Sequence, residues 1–296
     1  LLDMYRDSIT VQYANNKYLT LSIGPKNKKY NDYRIPFIIY RTWKDSNLNN
    51  QFIHAWNTTA IHNPEFNQIL YTDKDVNNFI NTFNYPGFKK AYNRLNPKYG
   101  AARADLFRYA ILYYYGGFYM DIKTFAESSI KEKIGNSDGI LLSKWGKNNV
   151  PGVFKGDKNL FKKMSLNFST EIGEWEQYWL ACEKGHPMMK AILDKCIKNI
   201  NEPHTNELDK ELCNQNVCSS SDTVFITTGP FMMTYVIDNF IINNPSFDDF
   251  TVTKPSLDDT IIYATGITSF GRSHVQAYTK NNEVHYSKIK EPLLLY

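Results

Sequence analysis

An α/β protein with a mostly parallel sheet is the fold class this sequence predicts, and three observations predict it. Apolar runs at Ile35–Tyr40 and Gln68–Thr72 have the length and composition of buried parallel strands. Helical patterns over 48–61 and 74–83 follow them. A further helix, 99–115, feeds through Gly116-Gly117 into a strand at 118–122. Strand, helix, strand, helix, strand is the signature of a Rossmann-like, doubly wound sheet with flanking helices.

The remaining elements are read in chain order. Residues 1–34 are polar and irregular, with a basic hinge at Lys26–Lys29 after Gly24-Pro25, and are expected to form a partly helical extension. Residues 35–296 are expected to form a single domain whose C-terminal half is more mixed. There, 139–143 reads as a strand and 159–168 as a helix. An aromatic segment runs from Glu174 to Cys182, and a helix follows Pro187 to about residue 200. Residues 203–222 read as a polar loop. Thr227-Thr-Gly-Pro230 opens a helix over 231–242, with proline suited to its first turn.

Composition narrows the function. Hydrophobic residues are 42% and charged residues 22%, the range of a globular protein with a sizeable core. Aromatic residues reach 15%, with 21 Tyr and 18 Phe; tyrosine walls suit stacking on sugars or bases, although most such rings fill cores. The net charge of +4 is mild and its lysines and arginines are scattered, which argues against a nucleic-acid protein and permits a local positive pocket for a phosphate-bearing substrate. No run is expected to span a membrane. The chain begins at Leu1, so an anchor or leader upstream stays open, and with it the choice between a cytoplasmic protein and one in the secretory lumen. Cys182, Cys196, Cys213 and Cys218 show no CxxC spacing; Cys213 and Cys218 could pair in an oxidising compartment or remain reduced. No GxGxxG follows the first strand and no GxxxxGK[ST] occurs, which disfavours a dinucleotide enzyme, a P-loop ATPase and a phosphoryl- or nucleotidyltransferase.

The chemistry concentrates in 103–123. Asp105 and Arg108, three apart on a helix, share a face. The following strand ends in Asp121, and open α/β sheets hold ligands at the carboxyl ends of their strands. A carboxylate there can accept from ribose or sugar hydroxyls or hold a divalent cation on a diphosphate, while Arg108 offers a fork of donors. Gly116 and Gly117 allow a tight turn and a close backbone approach. The plainer reading is a surface ion pair worth a few tenths of a kcal/mol and a helix–strand connector.

The pattern Arg103-x-Asp105-x-x-Arg108-Tyr109-x-x-Leu112-Tyr113-x-x-Gly116-Gly117-x-Tyr119-x-Asp121 resembles the signature of the family 32 glycosyltransferases. These are DXD-motif sugar transferases that include initiating α-1,6-mannosyltransferases and capsular polysaccharide enzymes, and their pattern is similar to the catalytic domain of clostridial glucosylating toxins. Ile35-Pro-x-Ile-Ile-x-x-x-Trp43-Lys44, Tyr71-Thr-Asp73, Gly185-His-Pro187 and Thr228-Gly-Pro230 agree in order, so the resemblance covers roughly 35–285.

The resemblance implies a GT-A type fold with a nucleotide-sugar half at about 35–125 and an acceptor half at about 126–296. It implies transfer of a hexose from a UDP- or GDP-sugar to a glycan, protein or lipid hydroxyl, with retained configuration. Carried over by position, Asp105 and Arg108 bind the donor sugar. Asp121 contacts the ribose and, through Mn²⁺ or Mg²⁺, the diphosphate. Trp43, with Tyr40 on the same strand, lies toward the base. Gly116 and Gly117 line the substrate, Gln177 (with Glu174 and Glu176 as further candidates) faces sugar or acceptor, and His274, with His285 as the competing match, stands near the diphosphate.

One position departs from the family. Where its pattern has a second Asp, this chain has Lys123, which cannot ligate a cation. Either Lys123 neutralises the leaving diphosphate itself, making Asp121, Lys123 and Arg108 the catalytic set of a metal-independent enzyme, or the chain is a non-catalytic nucleotide-sugar-binding pseudoenzyme.

Overall fold

The computed structural model describes residues 8–13, 17–22, 32–143, 175–202, 220–245, 251–252, 261–263 and 289–295, with side chains described for 32–143, 175–202, 223–245 and 289–295. The first two strands, β1 (Ser8–Tyr13) and β2 (Lys17–Ser22), form an antiparallel hairpin. The partly helical extension expected there is therefore corrected for these residues. Both strands alternate apolar or β-branched residues with polar ones (Ile9 and Val11; Leu19 and Leu21), a period of two that suits a strand.

The central sheet has six strands. In chain order they are β3 (Ile38–Thr42), β4 (Asn67–Tyr71), β5 (Gly117–Met120), β7 (Ile140–Leu142), β8 (Trp179–Cys182) and β9 (Thr251–Val252). The spatial order is β4-β3-β5-β8-β7-β9. β3 runs parallel to both β4 and β5, β7 runs parallel to β9, and β8 alone is antiparallel to its neighbours. The α/β class, the mostly parallel sheet and the mixed second half are thus as expected. A small second sheet pairs β6 (Thr124–Ala126) antiparallel with β10 (Ile261–Tyr263), setting Tyr263 opposite Thr124.

Side-chain alternation sorts the core into two layers. Tyr40, Tyr119, Leu180, Cys182, Ile140 and Leu142 face one side. They pack under α2 (Asp73–Thr82), α3 (Phe88–Arg94), α4 (Gly100–Tyr115), α5 (Pro187–Asn201) and α7 (Pro230–Asn243). Ile39, Phe118, Met120, Trp179, Ala181 and Leu141 face the other side, against Phe37, Phe66, Ile130 and Ile134. α1 (Asn50–His62) covers Leu70 and Ile122 there with Phe52, Ile53 and Trp56. Every residue of β5 is buried, as a strand covered on both faces requires.

Local chemistry sets the boundaries. α2 opens with a reciprocal capping box between Thr72 and Asp75. α5 and α7 each carry proline in the first turn. α4 is apolar on nearly every face, with Leu106, Phe107, Tyr109, Ala110, Ile111 and Leu112 fully enclosed, because sheet and helices surround it. α4 closes on Gly116 at φ 71°, and Gly117 follows at φ 105°. A β-carbon on Gly116 would lie 2.6 Å from Lys184 N, and one on Gly117 would lie 2.9 Å from the Ile38 carbonyl oxygen.

Two further expectations change. The segment read as a polar loop to residue 222 gives way to a helix, α6 (Ser220–Thr227), while 203–219, with Cys213 and Cys218, lie outside the described residues. The helix expected at 159–168 lies outside them too. The stretch Thr223–Asn243 is long and apolar enough to cross a membrane by length and composition, where no such run was expected. Its apolarity has a core use here: it breaks at Thr228-Gly229, and Phe231, Met232, Met233, Val236 and Ile237 are buried.

Candidate active site

The first strand of the central sheet, β3, has its neighbours β4 and β5 on opposite sides, so the chain leaves β3 and β5 in opposite directions and opens a crevice at their carboxyl ends. Asp121 stands there, directly after β5, with its N–H donating to the Tyr178 carbonyl at 2.8 Å. Arg108 reaches it from α4. One guanidinium nitrogen, Nη2, lies 3.1 Å from Asp121 Oδ1 and 3.1 Å from Asp105 Oδ1. Nη1 donates to the Gln177 carbonyl at 2.6 Å, and the guanidinium carbon sits 4.5 Å from the centre of the Tyr119 ring.

This is a carboxylate–guanidinium–carboxylate chain, graded in burial. The Asp105 and Arg108 side chains are each 6% exposed, whereas that of Asp121 is 24% exposed and is the open end. Asp105 Oδ2 accepts from the Thr228 hydroxyl at 2.8 Å. Tyr109 Oη donates to the Thr228 carbonyl at 2.9 Å, and the Gln177 amide donates to Tyr109 Oη and to that same carbonyl. Tyr119 Oη and Thr42 Oγ1 share a hydrogen bond of 2.9 Å.

The electrostatics follow from burial. Loss of solvent raises the Asp105 carboxyl to about 7, against the pull of Arg108 and the Thr228 hydroxyl and with a push from Asp121. Burial also opposes the Arg108 charge, but Tyr119 and the carboxylates of Asp121 and Asp105 outweigh it and hold Arg108 above its ordinary value. The Lys123 side chain retains some exposure, yet its Nζ is enclosed, and desolvation lowers it to about 7 while Asp121 pulls the other way.

The sequence-predicted residues fall into three groups. Asp105, Arg108, Asp121 and Gln177 come together, with Lys123 in the turn that follows Asp121. Trp43 is half-buried just beyond β3, its ring 4.6 Å from Phe52 in an edge contact. Tyr40 points into the core, 2% exposed and beside Tyr71. Gly116 and Gly117 sit at the opposite end of β5 from Asp121, about 13 Å of strand away, and what approaches them closely is Lys184 and Ile38. Glu176 is buried and accepts from Trp179 Nε1. Glu174, His274 and His285 lie outside the described residues.

Sequence reasoning missed Arg41 and the Thr228 hydroxyl. Arg41 is fully buried: Nη1 donates to the carbonyls of Asp121 at 3.0 Å and Thr124 at 2.6 Å, Nε to Gln68 at 3.1 Å and Nη2 to Thr59 at 3.2 Å. Burial lowers its guanidinium to about 9, with Tyr119 and Asp121 restoring part of the loss. The signal for it was its spacing. Two residues beyond Ile39 on a strand, position 41 belongs to the same buried face.

Among the described residues the donor set does not fit a divalent cation. Both carboxylates flanking Arg108 are already engaged by it, the turn after Asp121 carries an amine at Lys123, and no cluster of three or more His, Cys, Asp or Glu occurs among these residues.

Fold and site thus define a class: an α/β protein whose ligand edge carries paired carboxylates bridged by one arginine. Residues 46–141 match the family model described as the glycosyltransferase sugar-binding region containing DXD motif, so this third of the chain carries that region and the resemblance holds. The Schizosaccharomyces pombe inositol phosphoceramide mannosyltransferase 3 is 38% identical over 88 residues, 30% of this chain and 24% of that protein. The Candida albicans initiation-specific alpha-1,6-mannosyltransferase is 26% identical over 255 residues, covering 78% of this chain and 64% of that one. The chain therefore spans less than two thirds of the length of these relatives. A solved PaToxG glycosyltransferase is similar at 16% identity with a TM-score of 0.41, covering 72% of this chain and 71% of that one.

Proposed function

We propose that the chain is a glycosyltransferase that moves a hexose from a nucleoside-diphosphate sugar to a hydroxyl acceptor, with retention. The observation that carries it is the Asp105–Arg108–Asp121 chain at the carboxyl edge, inside a region of the sugar-transferase type. Asp121, the exposed end, accepts from ribose or sugar hydroxyls, while Asp105 and Arg108 hold the donor sugar. The named mannosyltransferase relatives make a nucleotide-linked mannose the first donor to test.

In this reading the bond from the anomeric carbon to the diphosphate oxygen breaks as the acceptor oxygen bonds to that carbon. The acceptor proton passes to the departing diphosphate, and the largest need is positive charge at the phosphates. A second motif carboxylate with a divalent ion contributes −1 and +2; a single lysine ammonium contributes the same +1. Lys123, in its turn beside Asp121, fits that role without a metal.

Incubation with UDP- and GDP-sugars, with EDTA or with Mn²⁺, tests the proposal. The expected result is slow release of nucleoside diphosphate that EDTA does not abolish, with Asp121→Asn reducing it by about two orders of magnitude or more. Tight donor binding without any hydrolysis or transfer would support the pseudoenzyme reading instead.

A further inference from the structure

The fully buried guanidinium of Arg41 lies beneath the Asp121–Thr124 turn, on the face of the sheet opposite Arg108. It donates to the main-chain carbonyls of Asp121 and Thr124, at 3.0 and 2.6 Å, which flank Ile122 and Lys123. The turn is closed from within by Thr124 N–H donating to the Asp121 carbonyl at 2.8 Å. Asp121 is thus gripped twice: its carbonyl from the α1 face by Arg41 and its carboxylate from the α4 face by Arg108.

Arg41 is itself aimed. Gln68 Oε1 accepts from its Nε at 3.1 Å, and the Gln68 amide donates to the Trp56 carbonyl at 3.0 Å. Thr59 Oγ1 accepts from Arg41 Nη2 at 3.2 Å and from the Ala126 N–H at 3.1 Å, while donating to the Ala55 carbonyl at 2.9 Å. The guanidinium carbon lies 5.7 Å from the Trp56 ring centre. A fold that needed only filler here would place an aliphatic side chain, since enclosing a charge without a carboxylate in contact is costly. The planar fork does what no aliphatic can: it ties β3, β4, α1 and β6 to one turn.

We propose that Arg41 is a positioning residue of the transfer reaction, fixing the Asp121–Lys123 turn so that the carboxylate and the ammonium meet the donor in register. The proposal rests on the glycosyltransferase reading for its kinetic consequence, not for its structural one.

The test compares wild type with Arg41→Lys, which keeps the charge and loses the fork, and with Gln68→Met, a milder variant that releases Arg41 Nε and the Trp56 carbonyl but leaves the bonds from Arg41 to the turn in place. Donor-hydrolysis kinetics are measured together with amide hydrogen exchange. The expected result is faster exchange at Ile122–Thr124 with β5 still protected. It is accompanied by a fall in kcat of about ten- to a hundredfold, as misplacement of reacting groups on the ångström scale brings, and little change in KM. Gln68→Met should show the same pattern more weakly, and it alone decides the matter if Arg41→Lys does not fold. Unchanged exchange in the turn, exchange raised equally across the sheet, or a wild-type kcat beside a loosened turn would each overturn the proposal. If wild type turns over no donor, the glycosyltransferase reading fails, and the exchange pattern still decides whether Arg41 holds the turn.

Discussion

Asp105 and Lys123 are displaced toward each other, both to about 7, one from below and one from above. Lys123 in the folded chain holds its proton less well than in the unfolded chain, so folding releases protons between about 7 and its ordinary 10.5, and stability rises with pH across that window. Lys123→Met should therefore raise Tm at pH 6 and leave it nearly unchanged at pH 10. Asp105 works the other way: the folded state takes up a proton between 3.8 and about 7, so stability falls as pH rises through that range. For catalysis, the free protein loses the Lys123 ammonium as pH climbs past about 7, so kcat/KM for the donor should fall there. Lys123→Arg should abolish that limb, because a guanidinium stays charged. A pH–rate profile checks it, and an identical limb in the arginine variant would refute the assignment. Among these residues, Asp105, Arg108 and Asp121 were legible because helix and strand spacing fix where such side chains point. The Thr228 hydroxyl was not, since its partner Asp105 lies far away in sequence and only the packing of α4 against the α6–α7 junction joins them.

At the scale of elements, the strands and helices around the site were legible to within a few residues because each carries its own punctuation, such as the Thr72–Asp75 box or Pro187 and Pro230. What escaped was α3, a helix of seven residues between Pro86 and Pro97 that opens on Gly87 in the left-handed conformation. It is too short to display a period and is held by packing of Phe88, Ala91 and Tyr92 rather than by propensity. The antiparallel run of β8 was equally hidden, since strand direction is not written in local composition. The Gly116-Gly117 turn makes a testable element. With Gly116 at φ 71° and the Lys184 backbone 2.6 Å from a β-carbon there, Gly116→Ala should cost about 1–3 kcal/mol in urea unfolding. Donor affinity of the folded fraction should be unchanged, since the turn lies at the far end of β5 from Asp121. Loss of affinity without loss of stability would instead place these glycines against the substrate.

For the molecule as a whole, the first sheet half and its helices form a frame that the second half completes. α5 lies on α4 and α7 on α5, and Leu294 forms a bridge with Leu95 while the Leu293 carbonyl accepts from Asn96 N–H at 2.8 Å. At the other end, Arg34 pairs with Glu183 at 2.5 Å and Tyr33 packs on Phe37, so the folded body reaches slightly before residue 35. We propose that 1–31 is a separable extension: a chain starting at Asp32 should keep the Tm and donor turnover of the longer one. The pairing of β6 with β10 has a consequence of another kind. Tyr263 lies opposite Thr124 and the two strands run antiparallel, so β10 ends beside the end of β6 that adjoins Lys123. The second sheet thus acts as a splint: Thr124, the residue that closes the turn, is itself paired across from Tyr263.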